Sequence, residues 1–219
     1  MSDAPRPAGD GPTFFPLSRV AVRDFGGALA PPSAAALIGV AQWMRAYLMN
    51  AHPEFDRLGD VCPFAAKAAR ADVFRIAVSE ARASDLLTIR RQMLDAFAAF
   101  DAIPYPRGMA NFRSVIVAFP HCADAEGIAG LAAVRKSLRQ LSFAKARMVG
   151  VFHQSAEAPC LWSAAFRPLR SPIPLMAIRA LVENDAAFVM RHPLLAPAYL
   201  RSFPLAGGRR LIAELWKRA

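Results

Sequence analysis

The sequence predicts an α+β domain: a small mixed sheet of three to four strands covered by helices, with a helical C-terminal region. Three observations predict it. Val73–Ser79, Phe112–Phe119 and Met148–His153 are short, strand-like runs separated by helical stretches long enough for crossover connections. From Pro172 onward, apolar residues recur at helical spacing between proline and glycine punctuation. The 219 residues are 55% hydrophobic and 20% charged, which suits one globular core and not a disordered or fibrous chain.

The elements follow in order. Residues 1–32 are rich in Pro and Gly and read as an N-terminal arm, with Phe14, Phe15, Leu17 and Val20 as its anchors. The body is one domain from 33 to 219. Ser33 suits a helix N-cap, and Leu37, Val40, Ala41, Met44 and Leu48 recur at helical spacing toward Asn50, with Pro53 marking the end. Asn50–Ala71 reads as a loop carrying His52-Pro53 and Cys62-Pro63-Phe64. Val73–Ser79 alternates as a strand does. Ser84 is placed to cap a helix whose apolar stripe includes Leu86, Ile89, Met93, Phe97 and Phe100, and two prolines in Asp101–Gly108 break it. Phe112–Phe119 is the strongest strand, since Val115-Ile116-Val117 is β-branched and Pro120 stops the run; it is expected to be buried and central. Ala125–Ala146 has helical composition, Met148–His153 returns to strand, and Cys160–Phe166 reads as a fourth strand. Helices are expected near Pro172–Arg191, Pro197–Phe203 and Arg209–Lys217. There is no internal repeat.

Composition removes several classes. No apolar run reaches the roughly 18 residues of a membrane-spanning helix. The first 30 residues lack the basic start, apolar core and small-residue cleavage site of a secretory signal, so a cytoplasmic location is the default expectation. Cys62, Cys122 and Cys160 form no CxxC pair, which argues against a disulfide framework or a zinc cage. The net charge is +10, but the basic residues are 23 Arg to 4 Lys, the bias of a GC-rich bacterial genome. No basic run of five residues and no nucleic-acid motif occurs, which argues against a nucleic-acid partner. Phe166–Ala219 holds nine basic residues against three acidic ones, a concentration that favours a small anionic molecule.

Chemistry concentrates in three places. In Phe166-Arg167-Pro168-Leu169-Arg170-Ser171-Pro172-Ile173-Pro174, followed closely by Arg179, the prolines fix φ and present Arg167 and Arg170 from a stiff, extended segment. Ser171 then reads as the N-cap of a helix with Pro172 at its first position, and arginines beside a helix N-terminus make an anion site. Equally, these arginines serve to pair with carboxylates of the same chain and fasten the last helix to the sheet. In the second place, the loop with His52 and Cys62, a Cys-Pro pair is one way to present a thiolate to heme iron, with His52 near enough in sequence to share the site. The structural alternative is a small buried thiol and a histidine bonded within its own loop. Third, His153 ends a strand expected to be central, as a metal or heme ligand or a general base, and His121 is a partner if the two strand ends lie side by side; each also suits a hydrogen-bonded strand terminus. His192, before Pro193, sits at a helix C-terminus and suits the dipole there. The familiar nucleophile, phosphate-loop, dinucleotide and zinc motifs are missing, and carboxylates are scarce near the histidines, so an enzyme here would borrow its reactivity from a cofactor.

His52-Pro53, Cys62-Pro63-Phe64, Gly150-Val151-Phe152-His153 and the Phe166–Pro174 run together resemble a bacterial domain family of unknown function, over about Ala34 to Phe203. More distantly, the early Cys-Pro-Phe, the α+β body and the late arginine-rich segment look like the heme-dependent amino-acid N-oxygenases of the guanitoxin arginine hydroxylase type. The heme ligand of that class does not align onto this chain, so the resemblance assigns no catalytic residue. It implies a heme-binding, oxygenase-like protein acting on a small amino acid or carboxylate in bacterial secondary metabolism. In that reading His153 or Cys62 ligates iron, with His52 nearby. Arg167, Arg170 and Arg179 hold heme propionates or a substrate carboxylate, and Phe64, Phe152 and Trp162 line the pocket. The alternative is a cofactor-free binding or accessory protein with an arginine-lined anion site.

Overall fold

The computed structural model describes residues 11–216 apart from 24, 56–57 and 161–162. In chain order the first half holds β1 (Phe15–Pro16), α1 (Leu17–Ala21), α2 (Pro31–Trp43), α3 (Ala65–Arg70), β2 (Phe74–Val78) and α4 (Leu86–Ala102). The second half holds β3 (Ser114–Ala118), α5 (Ala125–Ser137), α6 (Arg139–Ala144), β4 (Arg147–Phe152), β5 (Leu175–Ala180), α7 (Ala186–Arg191), α8 (Ala196–Ser202) and α9 (Pro204–Trp216).

The class is α+β, built on one open, mixed sheet of five strands in the order β1-β2-β3-β5-β4. The β-branched run forms β3 as expected, in the middle of the sheet, with Val115 to Ala118 buried. β2 lies parallel to it with Phe74 opposite Ser114, α4 making the crossover. β5 runs antiparallel to both its neighbours, Ile178 facing Val115 on one side and Val149 on the other.

Two strands were not expected. β1 is a two-residue edge pairing, Phe15 opposite Ile76, made by the expected arm; Phe15, Leu17 and Val20 are buried as its anchors. β5 replaces the first part of the helix expected over Pro172–Arg191. Leu, Met and Ala are good helix formers, but the slot between β3 and β4 buries Leu175, Met176, Ile178 and Ala180, and Pro172 and Pro174 hold the approach extended. Cys160–Phe166 is not a strand: its described residues lie in a loop closed by Cys160 N–H donating to the Phe166 carbonyl at 2.9 Å. The Asn50–Ala71 loop contains α3. Neither expected serine cap forms. α2 starts at Pro31, and Ser33 donates its hydroxyl to Glu80; α4 starts at Leu86 behind Asp85.

β4 is the outer strand, so His153, which follows it, ends an edge and not a central strand. Phe152 meets Trp43 of α2, with ring centroids 6.1 Å apart, while Val151 lines a cavity with Ile128 and Ala132 of α5. Because successive strand side chains point to opposite faces, α2 and α5 cover opposite faces of the sheet. The main core fills both sides: Leu37, Val40 and Met44 from the α2 side, Ile89, Met93, Phe97, Leu131 and Val134 from α4 and α5. A smaller cluster of Leu181, Val189, Leu195 and Tyr199 holds α7 and α8 together.

Candidate functional site

The site is built by the excursion between β4 and β5. Its stem is the pair His153 and Ser171: Ser171 N–H donates to the His153 carbonyl at 3.3 Å, and His153 N–H donates to the Leu169 carbonyl at 3.2 Å. Ser171 caps no helix here; its hydroxyl donates to the Ile173 carbonyl at 2.7 Å. The loop is also held by its own arginines. Arg170 Nε donates to the Ala156 carbonyl at 3.2 Å, and Arg167 Nη1 donates to the Ala164 carbonyl.

Between these arginines lies Glu157. Arg170 Nη2 is 2.7 Å from its Oε1, and Arg167 Nε is 3.4 Å from its Oε2. The Arg170 and Arg167 guanidiniums hold the Glu157 carboxyl below the usual carboxylate range. The expected pairing with a carboxylate of the same chain is therefore present, but it fastens a loop to itself and not a helix to the sheet.

On the α2 face, Arg167 and Arg170 line a cavity of about 210 Å³ with Tyr47, His52, Glu54, Ala165 and Phe166. Tyr47 comes from Met44–Leu48, a π-helical turn that extends α2, and such turns recur at functional sites. Its ring stacks on Trp43 at 5.8 Å, and its hydroxyl donates to the Arg167 carbonyl at 3.4 Å. Burial pushes the Tyr47 phenol above its ordinary value, with Arg170 pulling the other way. Phe166 forms the floor, with His52 at 4.9 Å and Phe55 at 5.2 Å between ring centroids. Glu54 N–H donates to His52 Nδ1 at 3.2 Å, so in the neutral ring Nε2 carries the proton.

A second cavity of about 180 Å³ opens on the α5 face, lined by His153, Arg135, Ile128, Val151, Leu169 and Glu157 among others. His153 Nδ1 is 3.1 Å from the Ser155 hydroxyl, and burial lowers its pKa, which favours the neutral ring near pH 7. His153 thus shares a cavity with Glu157 and not with His52.

The remaining expected residues lie apart. Cys62 lines neither cavity: its N–H donates to the Leu48 carbonyl at 2.8 Å, and its carbonyl accepts from Ala65 at the start of α3. Phe64 packs on Phe112 at 5.6 Å and Phe152 on Trp43, so neither reaches the Arg167–Arg170 cavity. Both Arg179 Nη atoms are taken by Asp185, at 2.7 and 2.6 Å. Trp162 lies outside the described residues.

His121 and His153 do not sit side by side, because β5 separates the strands they follow. The partner of His121 is Glu80, just past the end of β2, at 3.0 Å, and Glu80 also accepts from Ser33. This corrects the expectation that carboxylates are scarce near the histidines. Local spacing gave no signal for it, since Glu80 stands 41 residues before His121 and 47 after Ser33. The sequence also missed Tyr47 and Glu157; the only local sign of Tyr47 was the aromatic pair it makes with Trp43, four residues earlier.

Among the described residues no group of three or more His, Cys, Asp or Glu is placed to hold a metal ion. A heme needs one axial ligand and a slot for a large planar ring. Drug-sized ligands already fill pockets of about 300–1,000 Å³, above either cavity here, and His153 and Cys62 do not face a common one. Among the described residues no helix is long and apolar enough to cross a membrane.

Comparison with curated proteins and with solved structures found no match to this chain. A family model does match, and over residues 37–211 it spans the sheet from β2 to β5, the helices around it and both cavities. The chain belongs to the DUF6875 family, a domain of unknown function.

Proposed function

We propose that this domain binds a small organic anion in the cavity between the π-helical turn after α2 and the Phe166–Arg170 segment. The observation that carries the reading is convergence. His52, Arg167 and Arg170, singled out from separate stretches of the sequence, line one cavity with Tyr47 and Phe166. The two guanidiniums supply positive donors, and the His52 and Tyr47 rings, both partly exposed, complete the lining. In this reading the protein is a binding or accessory domain and needs no cofactor.

The test is calorimetric titration of the full chain with succinate, benzoate and inorganic phosphate. Saturable binding of at least one is expected, weakened about tenfold or more in Arg170→Ala, since a charge-assisted hydrogen bond is worth roughly 1.5–3 kcal/mol. Binding that Arg170→Ala leaves unchanged overturns the proposal. Protein expressed with added iron and heme precursor is expected to show no Soret band. A stoichiometric band lost in His153→Ala or Cys62→Ala would replace this reading with the heme-dependent one.

A further inference from the structure

We infer that the outer face of α9 seats on an anionic lipid bilayer, lying along its surface without crossing it. α9 packs on the domain by one side. Gly207 lies so close to the Tyr199 ring that an added Cβ would stand 2.8 Å from Tyr199 Cε1, Leu211 packs on the cluster around Tyr199, and Arg210 Nε donates to Glu183 Oε1 at 2.6 Å. The other side is apolar as well. Leu205, Ile212 and Trp216 recur at helical spacing with Leu215 at their flank, and these four side chains are between 53 and 81% exposed. They form a ridge about 16 Å long at 1.5 Å of rise per residue, and it neighbours neither cavity, since no residue of α9 lines one.

Charge decides what covers this ridge. Of the nine basic residues from Phe166 to Ala219, Arg167 and Arg170 line the first cavity and Arg179 is taken by Asp185. The other six fall between Arg191 and Ala219, a stretch whose one acidic residue is Glu214. Arg209 stands within the ridge, between Leu205 and Ile212, and Arg191, Arg201 and Arg209 are all exposed. Lys217 and Arg218 follow Trp216 directly in the chain. A second copy of the chain would bring the same positive charge against this face and be repelled, whereas lipid phosphates neutralise it. A single convex helix with aliphatic side chains, a terminal Trp and flanking arginines is also the pattern of helices that lie in the headgroup layer with their apolar side sunk about 5–10 Å. The Trp ring, apolar in body and polar at its N–H, suits that boundary.

The test is sedimentation of the full chain with sucrose-loaded vesicles, either of phosphatidylcholine alone or of phosphatidylcholine mixed equally with phosphatidylglycerol. Binding to the mixed vesicles is expected, with a blue shift of tryptophan emission, and binding to phosphatidylcholine alone is expected to be about tenfold weaker or less. Ile212→Ser and Trp216→Ser change exposed positions, and thermal unfolding would verify that both variants fold. Each is expected to weaken binding about tenfold, and Arg209→Glu about fivefold or more. Absence of binding to the mixed vesicles overturns the proposal. Binding that both apolar variants leave unchanged also overturns it, because attraction would then come from the charge of the whole chain and not from this ridge. Concentration-dependent dimerisation in the absence of lipid, lost in Ile212→Ser, would assign the face to a second copy instead.

Discussion

Asp185 shows how one carboxylate decides the fate of an arginine. Its side chain is 4% exposed, and it accepts from Arg179 Nη1, from Arg179 Nη2 and from the Val182 N–H at 2.8 Å. All of its partners are within six residues, so the group closes the turn from β5 into α7. Removing Asp185 leaves the Arg179 guanidinium without its carboxylate, but that guanidinium is 32% exposed and still donates to the Ala180 carbonyl at 2.9 Å, so the loss is about 3 kcal/mol, the low end of what breaking a buried pair costs. Asp185→Ala is therefore expected to lower unfolding free energy in urea by that amount, while the double variant Arg179→Met/Asp185→Leu recovers a large part of it. A loss under about 1 kcal/mol in Asp185→Ala would show that water reaches the pair and that the turn holds by other means. Arg179 also marks what single residues could not reveal. In the sequence it looks the same as Arg167 and Arg170, three arginines along one proline-rich stretch, and only the register of β5 separates it from the cavity.

At the scale of elements, close approach fixes the start of α5. Asp124 caps it by accepting the Gly127 N–H at 2.7 Å, and Cys122, in the 3₁₀ turn just before, lies against Gly127 so closely that an added Cβ would stand 2.5 Å from the Cys122 Cα. Helix propensity alone favours alanine over glycine by roughly 0.8–1.0 kcal/mol. The backbone contact has the opposite sign and is the larger effect, since backbone yields less than a side-chain tip. Gly127→Ala is expected to cost about 1–3 kcal/mol, as overpacking does, and a variant more stable than wild type in thermal unfolding would contradict the close packing. The sequence made the strong elements legible where pattern and tertiary context agree: the β-branched β3, the apolar stripe of α4, the position of β4. It failed at β5, where helix-forming residues are pulled into a strand by the slot between β3 and β4 that buries Leu175, Met176, Ile178 and Ala180, and at Ser33 and Ser84, where a good capping residue stands beside the helix start and not at it. The cavity was half legible for a related reason. Arg167, Arg170 and His52 carry recognisable chemistry, whereas Tyr47 joins them only when the loop after β4 turns back on itself, the same turn that brings Glu157 to the two arginines.

Across the whole molecule, four titrating groups act in one direction. The Ser33 hydroxyl and then His121 hold Glu80 below the usual carboxylate range, and Arg170 and Arg167 do the same for Glu157. At Asp101 burial pushes the carboxyl up, but hydrogen bonds from Lys145 and Arg147 outweigh it and leave the group low. Each of these carboxylates is harder to protonate in the folded chain than in the unfolded one, where values near 3.9 for Asp and about 4.3 for Glu apply. Their contribution is complete above that range and is lost as pH falls through the lower folded values. His153 adds to the trend from a higher pH. Burial lowers its pKa, so below about 6.5 the unfolded chain takes up a proton that the folded chain resists, and stability falls there too. The unfolded state binds more protons in both windows, and stability is expected to decline in two limbs, a shallow one between about pH 7 and 5 and a second below about 4.5. Because all four groups are at least partly exposed to water, each step is small, and single variants are needed to assign them. Thermal unfolding measured from pH 8 to 3 is expected to lose the upper limb in His153→Asn and to flatten the lower one in Asp101→Asn. An upper limb unchanged in His153→Asn would mean that the His153 ring is as easily protonated in the folded chain as in the unfolded one, and that its cavity is open to water.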